Sequence, residues 1–113
     1  VYLQKNAGKN AGFLDADYEK VGVKFKADAK GLYSVAELVV KVKEPQPEEY
    51  KLLRPGQLLF CYLHLASDPG LVKGLQKSGC TAIAFETVVE EGRTPLLAPM
   101  SAIAGRLAVQ IGT

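Results

Sequence analysis

The chain has 113 residues, of which 48% are hydrophobic and 23% are charged, and its formal net charge is +2. A chain of this length is expected to form one domain with a modest core. The small, scattered positive charge argues against nucleic acid or an acidic membrane surface as a partner. No apolar stretch approaches the roughly 20 residues that a membrane-spanning helix needs.

The first half of the chain predicts short strands and helices in alternation. Asp15 is expected to cap the first helix, which Gly22 ends. Alternation of apolar and polar residues predicts that the second strand is half-exposed. In chain order the elements are a strand over residues 1–4, a turn-rich loop over 6–12, a helix over 16–21, a strand over 23–26, a short helix within 28–35 and a strand over 38–42.

The second half continues the alternation with stronger signals. Ser67 or Asp68 is expected to cap a helix that has Pro69 in its first turn and ends at Gly79. In chain order the elements are one or two helical turns over residues 48–53, a strand over 58–63, a helix from about 69 to 78, a strand over 81–85 and a helix over 100–111. The first residue is Val1, and both ends look cut, so the chain is expected to be a piece of a larger protein.

The two cysteines predict reduced, buried thiols. Cys61 lies inside an apolar strand candidate and Cys80 lies just before another. Neither belongs to a CxxC motif or lies near a second histidine, which disfavours a disulfide and a metal site. No metal site is therefore predicted, and the cytoplasm is the expected compartment.

Strands that alternate with helices and are continuously apolar are typical of an α/β fold with a mostly parallel sheet and helices on both faces. Right-handed crossovers then place the carboxyl ends of all strands at one edge. Open α/β sheets bind their ligands at that edge.

Polar residues follow three of the predicted strands, and they are Lys43, His64 and Glu86. The lysine could pair with a substrate carboxylate or carbonyl oxygen, although it could also be an ordinary solvated residue. The histidine suits proton transfer near neutral pH, although a core histidine bonded to a backbone carbonyl is the alternative. The glutamate could orient the lysine or the imidazole, or it could cap the following loop.

Alternation along the third predicted strand places Lys41 and Lys43 on the same side, but Lys43 comes last, where the strand opens to solvent. Ser101 is sufficiently explained as a cap for the last helix. The chain has no GxGxxG, GxxxxGK[ST] or GxSxG motif, so nothing in it predicts binding of a dinucleotide pyrophosphate.

Four segments together resemble the alanine dehydrogenase family, in unbroken order over nearly the whole chain. Their sequences are VKVKEP at residues 40–45, FCYLHLA at 60–66, AFETV at 84–88 and PLLAPMS at 95–101, and residues 104–106 also match. The resemblance implies an incomplete Rossmann-like (flavodoxin-like) fold. It also implies an enzyme that uses NAD to interconvert L-alanine with pyruvate and ammonia.

The resemblance implies roles for individual residues. Lys43 would bind the substrate near its carbonyl, and His64 would be the acid/base or hydrogen-bonding partner of the reacting oxygen. Ser101 would touch the nicotinamide end of the cofactor, with Leu97 and Met100 packing nearby. The resemblance adds little support for a role of Glu86 in the reaction.

The resemblance also implies that parts of the enzyme lie outside this chain. In the family a substrate-binding arginine precedes the segment that corresponds to Val1, and the NAD-binding domain follows the segment that corresponds to Thr113. Residues 1–113 would then be the central part of the substrate (catalytic) domain, and NAD would be bound mainly by the other domain. We expect the isolated chain to be inactive, because hydride transfer needs the nicotinamide held against the substrate. The full-length family members commonly form hexamers.

The sequence also allows two other functions. The chain could belong to the α-subunit region of a nicotinamide nucleotide transhydrogenase, which shares the fold. His64 in its LHLA setting favours the dehydrogenase, since hydride passage between dinucleotides does not need an imidazole. A non-catalytic α/β module that binds a small carboxylate would need Lys43 but not His64.

Overall fold

The computed structural model describes residues 1–112, and short parallel strands joined by helices make up most of it. The strands and α-helices are β1 Tyr2–Gln4, α1 Asp15–Glu19, β2 Lys24–Lys26, α2 Ala29–Val35, β3 Leu38–Val40, α3 Pro47–Tyr50, β4 Leu58–Cys61, α4 Pro69–Ser78, β5 Thr81–Ala84 and α5 Ala98–Gly112. Short 3₁₀ turns lie at Lys9–Ala11, Leu65–Ser67 and Phe85–Thr87.

The strands form two small sheets, and every strand pairing within them is parallel. β1 pairs with β2, and the second sheet has the order β3-β4-β5. The predicted α/β class with parallel pairing is thereby confirmed, but the strands do not form one continuous sheet. A cleft of about 660 Å³ lies between β1 and β3, lined by residues 1–3, by residues 35–40 and by Leu32 of α2.

The central strand β4 carries the middle of the hydrophobic core. Leu59 and Cys61 of this strand are both 0% exposed. Tyr33 of α2 and Leu71 of α4 belong to the same buried cluster. This packing of helices on β4 holds the second sheet together, because burial of apolar surface is the main driving force of folding.

A buried glutamine connects α2 to the start of β4. The Nε2 atom of Gln57 donates to the carbonyl oxygens of Tyr33 at 2.9 Å and of Ala36 at 2.8 Å. Its Oε1 atom accepts from the backbone amide of Arg54 at 3.3 Å. The two bonds that Nε2 donates satisfy carbonyl groups at the end of α2 that have no partner within the helix itself.

The cap predicted for α4 is confirmed. The Asp68 carboxylate accepts from the amide of Leu71 at 3.0 Å, and Pro69 is the first helical residue. Gly79 ends the helix with φ of 68°, a left-handed conformation that glycine adopts at little cost.

The cap predicted for α1 is wrong. Asp15 is the first residue of the helix rather than its cap, and the helix ends at Glu19. The Asp15 carboxylate instead accepts from the backbone amide of Asn6 at 3.0 Å. The local contact at the start of α1 comes from Asp17, whose carboxylate accepts from the backbone amide of Leu14 at 3.1 Å.

The last helix, α5, begins two residues earlier than predicted and has no buried residue. No helix within residues 1–112 reaches the length and hydropathy that a bilayer crossing requires.

The predicted strand over residues 38–42 is shorter in the structure, because β3 ends at Val40. Its hydrogen bonding to β4 nevertheless continues, with Lys41 N donating to Phe60 O at 3.2 Å and Tyr62 N donating to Val42 O at 3.0 Å.

Candidate functional site

Lys43, His64 and Glu86 follow three neighbouring strands of one parallel sheet. Lys43 comes shortly after β3, His64 after β4 and Glu86 after β5. Because β3, β4 and β5 are adjacent and run in the same direction, their carboxyl ends lie at one edge. The structure therefore places all three residues at the edge where the sequence pattern put them.

The carboxylate of Glu44 lies between Lys43 and His64. Its Oε1 atom is 3.1 Å from Nζ of Lys43, and its Oε2 atom is 3.5 Å from Nδ1 of His64. Two side chains that contact the same carboxylate are close enough for one small molecule to touch both. Glu44 was not predicted as a site residue, although it stands directly beside Lys43 in the sequence.

Glu44 is negatively charged at neutral pH. A hydrogen bond from its own backbone amide and then the contact with Lys43 lower the pKa of the carboxyl below its usual value. These effects and the contact with His64 outweigh the opposing effect of desolvation. The carboxylate therefore balances part of the positive charge at this edge of the sheet.

Lys41 and Lys43 lie in different environments, and the exposure predicted for Lys43 at the end of its strand is confirmed. Lys41 is half-buried and forms an ion pair with Glu49 of α3. The side chain of Lys43 is 75% exposed, because β3 has ended before it. Of these two lysines, only Lys43 has an ammonium group accessible to a ligand at this edge.

The Glu86 carboxylate contacts the backbone at His64, and neither the imidazole nor the Lys43 ammonium that the sequence suggested. Its Oε1 atom accepts from the amide of His64 at 2.7 Å and from the amide of Leu63 at 3.0 Å. Burial raises the pKa of Glu86, but the bonds from the amides of His64, Glu86 itself and Leu63 together bring that pKa below its usual value. Glu86 is thus an anionic acceptor for two consecutive amides.

Tyr62 connects His64 to the loop that precedes α5. The rings of Tyr62 and His64 are stacked, with centroids 6.2 Å apart and planes inclined by 13°. The Tyr62 hydroxyl donates to the carbonyl oxygen of Leu96. Tyr62 was not predicted as a site residue, because its position inside an apolar run indicated only a core residue.

Leu97, Met100 and Ser101 lie around the start of α5. Leu97 is half-buried, whereas Met100 and Ser101 are exposed. Ser101 lies inside the helix and donates its backbone amide to the carbonyl of Leu97 at 3.0 Å, so its predicted role as the helix cap is wrong. Within residues 1–112, no hydrogen bond or ion pair joins these three residues to Lys43 or His64.

The edge of the second sheet thus presents an ammonium, an imidazole and two carboxylates. An ammonium can bind the carboxylate or carbonyl oxygen of a small acid, and an imidazole can exchange a proton with it. Over the described part of the chain, no group of three histidine, cysteine, aspartate or glutamate side chains could hold a metal ion. The site suits acid/base chemistry on a small anion.

Comparisons with known proteins agree on one family. The family model described as "Alanine dehydrogenase/PNT, N-terminal domain" matches residues 1–104. Alanine dehydrogenase of Halomonas elongata is 56% identical over 113 residues, which are 99% of this chain and 30% of that protein. Alanine dehydrogenase of Bacillus subtilis is 53% identical and is covered to 29% of its length.

Solved structures show the same relationship. An L-alanine dehydrogenase matches 99% of this chain with a TM-score of 0.88 and 50% identity, and 31% of that structure is covered. A transhydrogenase from Sinorhizobium meliloti matches 76% of this chain with a TM-score of 0.70 at 23% identity, a likeness that shows the fold alone. This chain therefore spans about 30% of the length of the curated relatives that it matches.

Proposed function

We propose that this chain, which belongs to the alanine dehydrogenase/PNT N-terminal domain family, is part of an NAD-dependent enzyme that interconverts L-alanine with pyruvate and ammonia. The observation that carries the proposal is the contact of Lys43 and His64 with the two oxygens of one carboxylate. Their spacing suits a molecule the size of pyruvate. The names of relatives that are 56% and 53% identical support the same activity.

Lys43 is proposed to bind the substrate through its carboxylate or its carbonyl oxygen. Its ammonium group is mostly exposed and contacts only the neighbouring Glu44 among the described residues. A lysine acts as a compact point charge, so it can attract an anion without the fixed geometry of an arginine. Glu44 would remain beside the bound substrate and limit the net attraction.

His64 is proposed to exchange a proton with the reacting oxygen. Its side chain is 53% exposed, and the contact with Glu44 engages only Nδ1. Within residues 1–112, Nε2 has no hydrogen-bond partner and is available to the substrate. During reductive amination of pyruvate the imidazolium would donate a proton to the carbonyl oxygen, which leaves as water after ammonia has added to the carbonyl carbon. During alanine oxidation the neutral ring would accept a proton from the water that adds to the imine and releases ammonia.

Ser101, Leu97 and Met100 are proposed to contact the nicotinamide end of NAD. The apolar side chains of Leu97 and Met100 could pack against a planar ring, and the exposed Ser101 hydroxyl could bond to a polar group. These residues fit one end of the cofactor only. When bound, NAD supplies the hydride acceptor. A second domain would hold its pyrophosphate.

Residues 1–113 are proposed to be the central part of a substrate domain, with further segments on both sides. The 30% coverage of the relatives supports this assignment, and so does the cleft between β1 and β3, which could hold another strand. The isolated chain would then be inactive.

We also propose a hexamer for the full-length protein and a cytoplasmic location, the latter supported by the free thiols of Cys61 and Cys80.

The test is an assay of the full-length protein that contains this chain. We expect NADH formation that depends on L-alanine, and we expect His64→Ala to lower kcat by about 10²–10⁴-fold. Lys73→Ala, which removes an exposed lysine on α4, is the matched control and should change little. Absence of activity in the wild-type protein would overturn the proposal. Hydride transfer between dinucleotides that survives His64→Ala would favour a transhydrogenase, and pyruvate binding without turnover would favour a non-catalytic module.

A further inference from the structure

Glu86 bonds to the backbone of His64 rather than to any side chain at the site. We infer that Glu86 is a positioning residue that holds the His64 backbone in its unusual conformation and thereby aims the imidazole at the substrate. This inference rests on the proposed function, because it assigns Glu86 a part in the reaction that His64 would carry out.

The backbone of His64 needs such support. Its φ and ψ angles are 47° and 42°, in the left-handed region that residues with a side chain rarely adopt. Conformations of this kind persist at functional sites when the surrounding structure enforces them. The Glu86 carboxylate holds the amides of Leu63 and His64 together, at 3.0 Å and 2.7 Å from one oxygen.

The carbonyl side of His64 is held as well. Both the amide and the hydroxyl of Ser67 donate to the His64 carbonyl oxygen, at 3.0 Å and 2.8 Å. The 3₁₀ turn Leu65–Ser67 supplies these bonds from within the same loop, whereas Glu86 reaches the loop from the turn that follows β5. Glu86 therefore ties the loop that carries His64 to β5.

The residues on either side of Glu86 anchor the turn that carries it. Glu86 lies in the 3₁₀ turn Phe85–Thr87, where the Thr87 hydroxyl donates to the Ala84 carbonyl at 3.0 Å. The ring of Phe85 contacts the ring of Phe60 at 4.4 Å between centroids. The backbone that carries Glu86 is thus anchored to β4 and β5 through both neighbouring residues, as a group that orients another residue requires.

The direction of the imidazole depends on this arrangement, because φ and ψ determine where the bond from Cα to Cβ points. If the amide of His64 lost its acceptor, the residue could relax toward the extended region and turn its ring away from Lys43. Small displacements of a reacting group are costly, and a shift of about 1 Å can lower a rate by about 10²-fold.

The test uses variants of the full-length protein. Glu86→Ala is expected to lower kcat by about 10–100-fold with little change in KM for pyruvate, because Lys43 keeps its place. Glu86→Gln keeps a carbonyl oxygen that can accept from the amide of His64, so it should restore most of the lost kcat. Glu90→Ala removes an exposed carboxylate from the following loop and is the matched control.

A double-mutant cycle separates positioning from general structural support. In a His64→Ala background, Glu86→Ala should cause no further loss of kcat, because the residue through which Glu86 acts is already gone. Equal losses in both backgrounds would overturn the inference. So would a Glu86→Gln variant that is no better than Glu86→Ala.

Hydrogen exchange provides a readout that does not depend on activity. In the full-length protein, Glu86→Ala and Glu86→Gln should both speed exchange of the amides of Leu63 and His64, with the larger effect in the alanine variant. Unchanged exchange would overturn the inference. If the wild-type protein showed this protection but no L-alanine oxidation, the proposed function would fail and Glu86 would retain only its effect on the backbone.

Discussion

One carboxylate oxygen of Glu44 lies 3.5 Å from the Nδ1 atom of His64. The other oxygen lies 3.1 Å from the Lys43 ammonium. An internal anion therefore touches both groups to which we assign contact with an anionic substrate. Glu44 both holds these groups together and weakens the positive potential that they present.

Glu44→Gln is expected to lower KM for pyruvate by about 1.5–5-fold, because exposed ion pairs contribute about 0.2–1 kcal/mol. The substitution removes a negative charge next to Lys43 and keeps the shape of the side chain. Steady-state kinetics of the full-length protein at low salt would measure the change, and high salt should reduce it. Glu48→Gln, at an exposed position on α3, is the control.

The effect of Glu44→Gln should persist at mildly acidic pH. The pKa of Glu44 is lowered below 4.5 by its own amide and by Lys43, so the wild-type carboxylate stays charged above that pH. The difference between wild type and variant should disappear only when pH falls through this lowered pKa. Loss of the difference well above pH 4.5 would contradict the assignment.

Tyr62→Phe is expected to raise KM for NAD by about 2–10-fold, since one hydrogen bond contributes about 0.5–1.5 kcal/mol. The phenylalanine ring could still stack on His64, but the Leu96 carbonyl would lose its donor. The loop that leads to Leu97 and Ser101 would then be less ordered. Tyr50→Phe, on α3, is the control, and a change in kcat alone would contradict this prediction.

Cys61 and Cys80 should differ in their reaction with iodoacetamide. Cys61 is 0% exposed, whereas Cys80 is partly exposed, so Cys80 should be labelled first in the native protein. Burial raises the pKa of Cys61 from 9.0 to about 11, so its slow labelling should keep increasing up to about that pH. Mass spectrometry of Cys80→Ser protein would follow Cys61 by itself.

The raised pKa of Cys61 also makes stability depend on pH. Below pH 9.0 the thiol is neutral in the folded and unfolded states, and its contribution to stability is complete. Between pH 9.0 and about 11 the unfolded chain ionises first, so the free energy of unfolding should fall. Cys61→Ala should show a smaller decrease over the same range.

Leu59→Ala should cost about 2–5 kcal/mol of unfolding free energy, because it opens a cavity in a packed core. Leu59 is 0% exposed at the centre of the second sheet. Its neighbour Leu58 is 39% exposed, so Leu58→Ala should cost much less. Urea unfolding of the full-length variants measures both, and equal losses would contradict the burial that we describe.

Much of the fold could be predicted from the sequence, because its signals are local. The apolar run before His64 and the Asp68-Pro69 pair each define an element through residues that are neighbours in the chain. The rule that parallel strands share a carboxyl edge then placed Lys43 and His64 together. No local signal predicts that β1 and β3 remain unpaired in two separate sheets, because this depends on which strand edges meet in the folded chain.

The sequence by itself determined the order of elements, the family resemblance and the edge at which the polar residues gather. Only the tertiary structure decided that Glu44 lies between Lys43 and His64, that Lys41 pairs with Glu49, and that Glu86 binds backbone amides. Periodicity and capping arise from residues close in the chain, so they can be read in order. Which group pairs with a carboxylate depends on distances between residues of separate strands. Those distances are fixed only after the sheet and its loops have packed.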